Sequence, residues 1–158
     1  MSAQTEANKA LVARHFAIVS GGNPAEWDQI MAVDFVSHHP FASGRGRDYF
    51  RNAVASYPIV FSDFVTEVER MVAEDNLVVT HFTVRGRHTG DFLGLPATGR
   101  DFAFSGIAIY RIDNAQLAEA WYAEDTLGWF QQLGLIPSTI GGFRRVWERL
   151  SSGDTNAE

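Results

Sequence analysis

The residues best suited to acid–base chemistry in this 158-residue chain are a histidine pair, His38-His39, and an acidic pair, Glu124-Asp125. A neutral imidazole is a general base near pH 7, and a carboxylate drawn into an apolar interior can take up and return a proton. Spacing restricts both pairs. On an extended stretch successive side chains point to opposite faces, so at most one of His38 and His39 enters an interior. Asp125 stands where the last strand turns into the last helix. There it either caps the helix by accepting backbone N–H groups or acts as acid or base at a cavity mouth. It is the leading carboxylate candidate, and Glu124 is expected to point away. His88, next to Thr89 and Gly90, is read as pinning the loop that follows. His81 alternates with Thr83 and Arg85, away from the Thr80, Phe82 and Val84 face. No histidines show helical i, i+4 spacing and no carboxylates complete a cluster, so metal binding is not expected. The chain contains no cysteine, which excludes a thiol nucleophile, a disulfide and a zinc ribbon.

These groups need elements to hold them. A first helix is capped by Thr5, buries Leu11, Val12, His15, Phe16, Ile18 and Val19 on one broad face, and stops at Gly21-Gly22. Asn23-Pro24 restarts a short helix with Glu26 completing a capping box and Trp27, Ile30 and Met31 inward. An extended piece covers 34–38. A third helix runs over about 46–57 with Phe50, Val54 and Tyr57 on one face, closed by Pro58. Alternating strands follow at 63–73, 77–89, 101–112 and 116–123, separated by turns at 74–76 and 113–114 and by a Gly- and Pro-rich loop. In the first of these, Phe64, Val68 and Val72 share one side. A last short helix carries Leu127, Phe130 and Leu133 inward and ends at Gly134. Beyond it, Phe143, Val146, Trp147 and Leu150 recur at helical spacing, and SSGDTNAE reads as a disordered tail. Three helices followed by a four-stranded antiparallel sheet make an α+β domain over 1–137, with a C-terminal helical extension and tail at 138–158.

Composition narrows the function classes. With 46% hydrophobic and 20% charged residues, the chain reads as one globular domain. A net charge of −6 argues against nucleic-acid and anionic-membrane surfaces. The first ten residues lack the charged-then-apolar order of a signal peptide, and no apolar run reaches membrane-spanning length, so a cytoplasmic location is expected. Twelve Phe and four Trp suit an apolar pocket for a small-molecule ligand.

Five strings are more specific: FVSHHP, GRGRDYF, GRHTGDFLGLPATGR, YRIDNAQLAEAW and EDTLGWFQQLGLIP. Through these the chain resembles the SnoaL-like polyketide cyclase family from about Asn8 to Pro137. The patterns H-x-G-x-x-x-G-x-P-x-T-G-R and D-x-x-G-x-x-x-Q-L-G are the most specific parts. The resemblance implies the NTF2-like cone: a curved antiparallel sheet wrapped over three N-terminal helices, holding a small apolar ligand, in a homodimer or tetramer without metal or organic cofactor. It also implies aldol-type chemistry, in which a cavity carboxylate removes a proton alpha to a carbonyl and a nearby histidine assists. Carried over, the cyclase histidine falls on Ala108 and the cyclase aspartate on Tyr122, neither of which is a carboxylate base or a proton shuttle.

With Ala108 and Tyr122 on the cavity face, alternation adds Phe104, Gly106 and Tyr110, and Ala118 and Ala120 on the next strand. Tyr122 and Tyr110 become polar handles, and a buried phenol can donate to an enolate oxygen. The candidate catalytic residues are therefore Asp125, His38 and Tyr122, with His38 favoured over His39 because relatives often carry a histidine in this segment. Tyr110, Phe104, Ala108, His39, Trp27 and Phe50 are the expected ligand-binding wall. Ile107, Ile109 and Trp121 fall on the opposite face, where a second subunit would cover them. Three functions fit: a lyase or isomerase acting on an apolar carbonyl compound, a non-catalytic binder using the same cone, and an epoxide hydrolase built on Arg111, Asp113 and Asp125.

Overall fold

Two-residue alternation on long strands sets the architecture. Over Asp101–Asp113 the residues at 102, 104, 106, 108, 110 and 112 are all buried, and Val78, Thr80, Phe82 and Val84 repeat the pattern on the preceding strand. One sheet face is therefore continuously apolar and must be covered. A computed structural model describes residues 2–41, 43–92 and 94–151. In chain order it contains α1 (Ala3–Val19), a 3-10 turn (Pro24–Glu26), α2 (Trp27–Ile30), β1 (Met31–His38), β2 (Gly44–Arg45), α3 (Arg47–Ala55), α4 (Tyr57–Val60), β3 (Phe61–Glu74), β4 (Leu77–His88), β5 (Asp101–Asp113), β6 (Gln116–Glu124), α5 (Thr126–Leu133) and α6 (Ile140–Ser151). The strands form one sheet in the order β2-β1-β6-β5-β4-β3. Helix α1 lies across β3 and β4, α3 against β1, and α5 against β5, enclosing an aromatic-rich core.

The α+β expectation holds, with local differences that have physical causes. The sheet has six strands and is mixed, because β1 lies parallel to β6, pairing Ser37 with Ala120 and His38 with Trp121. Ser2, not Thr5, caps α1: its side chain accepts the Thr5 N–H, the role a short hydroxyl plays best from the N-cap. Pro58 does not close α3. It sits in the first turn of α4, where its missing N–H costs nothing. On β3, Phe64 and Val68 pack on the core, but Val72 is 64% exposed. A bulge between Val68 and Arg70 inserts a residue and inverts the alternation, turning Met71 and Ala73 inward instead. The β5–β6 hairpin turns on Asn114 and Ala115, both at positive φ, the mirror-image turn that suits the strands' twist. Gly134 ends α5 in the left-handed conformation. The helix α6 continues through Ser151, and the rest of the expected tail lies outside the described residues.

Candidate functional site

The concave face of the sheet and the helices over it enclose a cavity of about 380 Å³, within the range of small-molecule sites. Its walls are mostly aromatic and aliphatic: Phe16, Phe50, Phe61, Phe82, Phe104 and Trp129 among them. Against this background the polar side chains are few: His15, His39, Asp91, Tyr110, Tyr122 and Glu124, with Tyr57, Ser56 and Thr66.

The register explains how Glu124 arrives there. On β6, Ala120, Tyr122 and Glu124 stand opposite Tyr110, Ala108 and Gly106 of β5, so Glu124 shares the inward face of Tyr122 by strand periodicity. Gly106 makes room for it. A Cβ at that position would lie 2.5 Å from Cζ of Phe82 and 3.0 Å from Cγ of Glu124. His39 extends beyond β1, whose Phe35 and Ser37 are buried, and the same alternation carries His39 inward. Its Nε2 lies 3.2 Å from Oε2 of Glu124, with side-chain exposures of 16% and 8%. The backbone N–H of Phe41 donates to His39 Nδ1 at 3.1 Å. A backbone amide can only donate, so Nδ1 is the acceptor and the neutral ring carries its proton on Nε2, facing the carboxylate. His39 Nε2 and the Glu124 carboxylate are thus neighbours at ion-pair distance on the cavity wall.

Tyr122 packs its ring on His39, centroids 5.1 Å apart, and on Tyr110 at 6.0 Å. Neither phenol has a well-formed hydrogen bond, although both hydroxyls are buried. Burial, followed by the influence of Tyr122, raises the Tyr110 phenol well above its usual range. Burial raises Tyr122 too, opposed by a hydrogen-bonding interaction with Tyr110 and aided by Tyr57 and Glu124, and Tyr57 is pushed up to about 12 by burial and then by the Glu124 charge. All three phenols therefore keep their protons at neutral pH and stand ready as donors. A buried hydroxyl without a well-formed hydrogen bond carries a desolvation cost that a ligand oxygen would relieve.

His15, on α1, is 2% exposed and borders the same space. Its Nδ1 accepts the indole N–H of Trp27 at 3.3 Å, and burial lowers its pKa to about 3.

The residues expected from sequence fall into two groups. Tyr122, Tyr110, Phe104, His39 and Phe50 line the cavity. Ala108 and Trp27 are fully buried but pack behind its wall, Trp27 supporting His15. His38 does not enter. As the neighbour of an inward residue it lies on the outer face, stacked on Trp121 with centroids 5.4 Å apart and bonded to Glu119 at 2.8 Å. That contact, then Arg111, holds the Glu119 carboxyl below its usual range. Asp125 is an exposed cap whose Oδ1 accepts the Gly128 N–H at 2.9 Å, and the carboxylate that the sheet brings into the cavity is Glu124, which was expected to point away. Arg111 pairs with Asp113 and Glu119, and none of Arg111, Asp113 and Asp125 lines the cavity, so the epoxide-hydrolase arrangement is not formed. His88 accepts the Thr98 N–H and meets its hydroxyl at 3.1 Å, tying down the long loop. Ile107, Ile109 and Trp121 are exposed on the outer sheet face, and Phe143, Val146, Trp147 and Leu150 are exposed on α6. Among the described residues no cluster of His, Asp and Glu could hold a metal ion, and no helix is long and apolar enough to cross a membrane.

Comparison with known proteins places this geometry in a family. The family model described as SnoaL-like polyketide cyclase matches residues 9–133. The chain is 33% identical over 137 residues, 80% of its length and 83% of the relative's, to the aklanonic acid methyl ester cyclase DauD of Streptomyces sp. (strain C5). It is 33% identical over 102 residues, 63% of its length and 70% of the relative's, to the aklanonic acid methyl ester cyclase DnrD of Streptomyces peucetius. The structure of TsrD from Streptomyces laurentii superposes with a TM-score of 0.76 at 27% identity, covering 83% of this chain and 97% of that one. From its sequence through residue 133 and from its NTF2-like cone, the chain belongs to the SnoaL-like polyketide cyclase family.

Proposed function

We propose that this chain is a cofactor-independent enzyme of the lyase or isomerase kind that acts on a small apolar carbonyl compound, with Glu124 as its base. One observation carries the reading: a carboxylate whose side chain is only 8% exposed, with His39 Nε2 at 3.2 Å, opens onto an apolar cavity beside the buried hydroxyl of Tyr122. Two polar groups within hydrogen-bonding reach, plus an oxyanion donor, are the parts that proton abstraction next to a carbonyl requires. Glu124 takes the proton from the carbon, and the electron pair moves onto the carbonyl oxygen, where the Tyr122 O–H donates. In a ring closure of the kind the relatives' names describe, the enolate carbon forms a bond to a second carbonyl carbon of the same molecule. The resulting alkoxide then takes back the proton held by Glu124, so atoms and electrons balance without an external reagent. His39 keeps the carboxylate oriented throughout.

The test is hydrogen–deuterium exchange at the acidic CH2 of 2-tetralone in heavy water, followed by NMR. Wild type is expected to accelerate exchange, Glu124→Gln to slow it by about 10²–10⁴-fold while still binding the ketone, and Asp125→Asn to leave it unchanged. The binder reading rests on Ala108 and Tyr122 standing at the cyclase positions. It predicts binding with exchange no faster than in buffer for all three proteins, and that result overturns the enzyme.

A further inference from the structure

Helix α6 lies beyond residue 133, where the family match ends, and stands off the domain. From Phe143 to Ser151 every residue is exposed, and Gly142 alone is buried, against Pro137. The apolar side chains of the helix are not scattered. Phe143, Val146, Trp147 and Leu150 recur at i, i+3, i+4 and i+7 and make one stripe about 11 Å long, with Trp147 69% and Leu150 74% exposed. A helix of 12 residues is marginal in water unless such a face is covered. Its own domain does not cover it, and the link from α5 is tied down. The Leu135 N–H donates to the Phe130 carbonyl, and Nε2 of Gln131 to that of Pro137, both at 3.0 Å.

The outer sheet face presents a surface of matching length. Register aligns Val72 with Val79, Val79 with Ile109 and Ile109 with Trp121, an apolar row that crosses four strands over about 14 Å. The adjacent row on one side is acidic: Glu74, Leu77, Arg111 and Glu119 are aligned there, and Arg111 is already paired with Glu119 and Asp113. On the other side Arg70 is aligned with His81. The two flanks of α6 differ in the complementary sense. At about 100° per residue, Arg145 and Arg149 share one flank of the stripe, while on the other Arg144 pairs with Glu148 at 3.3 Å. The helix carries three arginines and one glutamate in a chain of net charge −6, so the acidic excess lies on the rest of the molecule. Two α6 helices packed antiparallel would set the basic flank against its own copy, whereas the sheet of another molecule offers it opposite charge. We infer that the α6 stripe docks on the Val72–Val79–Ile109–Trp121 row of a second copy of this chain, with the Arg145 and Arg149 flank toward Glu74 and Glu119. Exchanged both ways, the contact covers two stripes and two rows, and it is independent of the chemistry in the cavity.

The chain has no cysteine, so pairs of single-cysteine variants test the contact. Val146→Cys mixed with Ile109→Cys is expected to form a mixed disulfide dimer under mild oxidation. Val146→Cys mixed with Ile59→Cys, at an exposed position of α4, should not. If Val146→Cys cross-links mainly to itself, α6 pairs with α6. If a chain carrying both Val146→Cys and Ile109→Cys closes on itself at high dilution, α6 covers its own sheet. Either result overturns the inference. By sedimentation the wild type should be a dimer that Trp147→Glu, a change at an exposed side chain, weakens by about 30-fold or more, as loss of a central aromatic anchor does. Arg145→Glu and Glu74→Arg should each weaken the dimer by up to about 5-fold, and the two together should restore it. A monomeric wild type, including one captured instead by phosphatidylglycerol vesicles, or a dimer indifferent to Trp147→Glu, overturns the inference.

Discussion

Acidification should destabilise this protein through His15 by an amount that can be isolated. Burial holds the folded-state pKa of His15 at about 3, against 6.5 for an exposed histidine. The folded chain resists a proton that the unfolded chain accepts, so the full stability is present above about pH 6.5 and is lost as pH falls toward 3. Integrating the difference in bound protons gives a loss of about 2 kcal/mol between pH 7.5 and pH 5. The perturbation is His15→Phe, which keeps a ring among Phe16, Trp27, Phe50 and Tyr110. The substitution also strands the Trp27 N–H, costing about 1–3 kcal/mol, but that cost is the same at every pH. None of these ring neighbours titrates in this range, Tyr110 being raised. Other acids and histidines titrate alike in both proteins and cancel in the double difference. Urea unfolding of both proteins near pH 7.5 and pH 5 should therefore show the wild type losing about 2 kcal/mol more than the variant. Equal losses would mean that His15 is protonated without penalty in the folded chain, and the argument from burial fails.

Three further outcomes follow from particular contacts. Gly106→Ala places a methyl group against Phe82 and Glu124 and should destabilise by about 1–3 kcal/mol, with slower exchange at 2-tetralone because Glu124 is displaced. Asp125→Ala removes the cap of α5 and should lower stability by about 1 kcal/mol in urea unfolding, with exchange activity intact. The exposed Ile107, Ile109 and Trp121 form an apolar stripe on the outer sheet face of the sort that a second subunit covers. Sedimentation should find wild type as a dimer and Ile107→Lys shifted toward monomer.

Much of the cavity wall was legible because alternation is a local property. From Ala108 the period of two reaches Phe104 and Tyr110 without error, and the strand's burial follows it along its whole length. The same rule, applied from Tyr122, places Glu124 inside. Asp125, one residue further, falls out of that parity where the strand ends, and of its two readings the structure forms the helix cap. Likewise Phe35, a large apolar residue in β1, sets a parity that brings in His39 and turns out His38. The role of β1 was less accessible: nothing local in residues 31–38 specifies parallel pairing with a strand some 80 residues away. The inversion at Val72 depends on a bulge that leaves no signature in a run of alternating residues.

That unforeseen parallel pairing is what lets the cavity keep an acid and a histidine together. The cyclase pattern the chain resembles puts its histidine and aspartate on Ala108 and Tyr122, which are directly opposed across β5 and β6. Moving the carboxylate to Glu124 shifts it one inward step, about 7 Å, and brings it opposite Gly106, which has no side chain to offer. A partner can then come only from the other flank of β6. There β1 runs in the same direction, with His38 beside Trp121, so the next residue of the chain, His39, falls level with Tyr122 and advances toward Glu124. A glycine in place of a side chain, a parallel neighbour and one backbone amide on Nδ1 together rebuild the pairing one step along the sheet. The vacated position holds a phenol that burial keeps protonated, a group able to donate but not to compete as a base. A search for the histidine and aspartate at their usual positions would declare this pocket inert, whereas the register of three adjacent strands supplies it with a carboxylate, an imidazole and an oxygen donor within contact of one another.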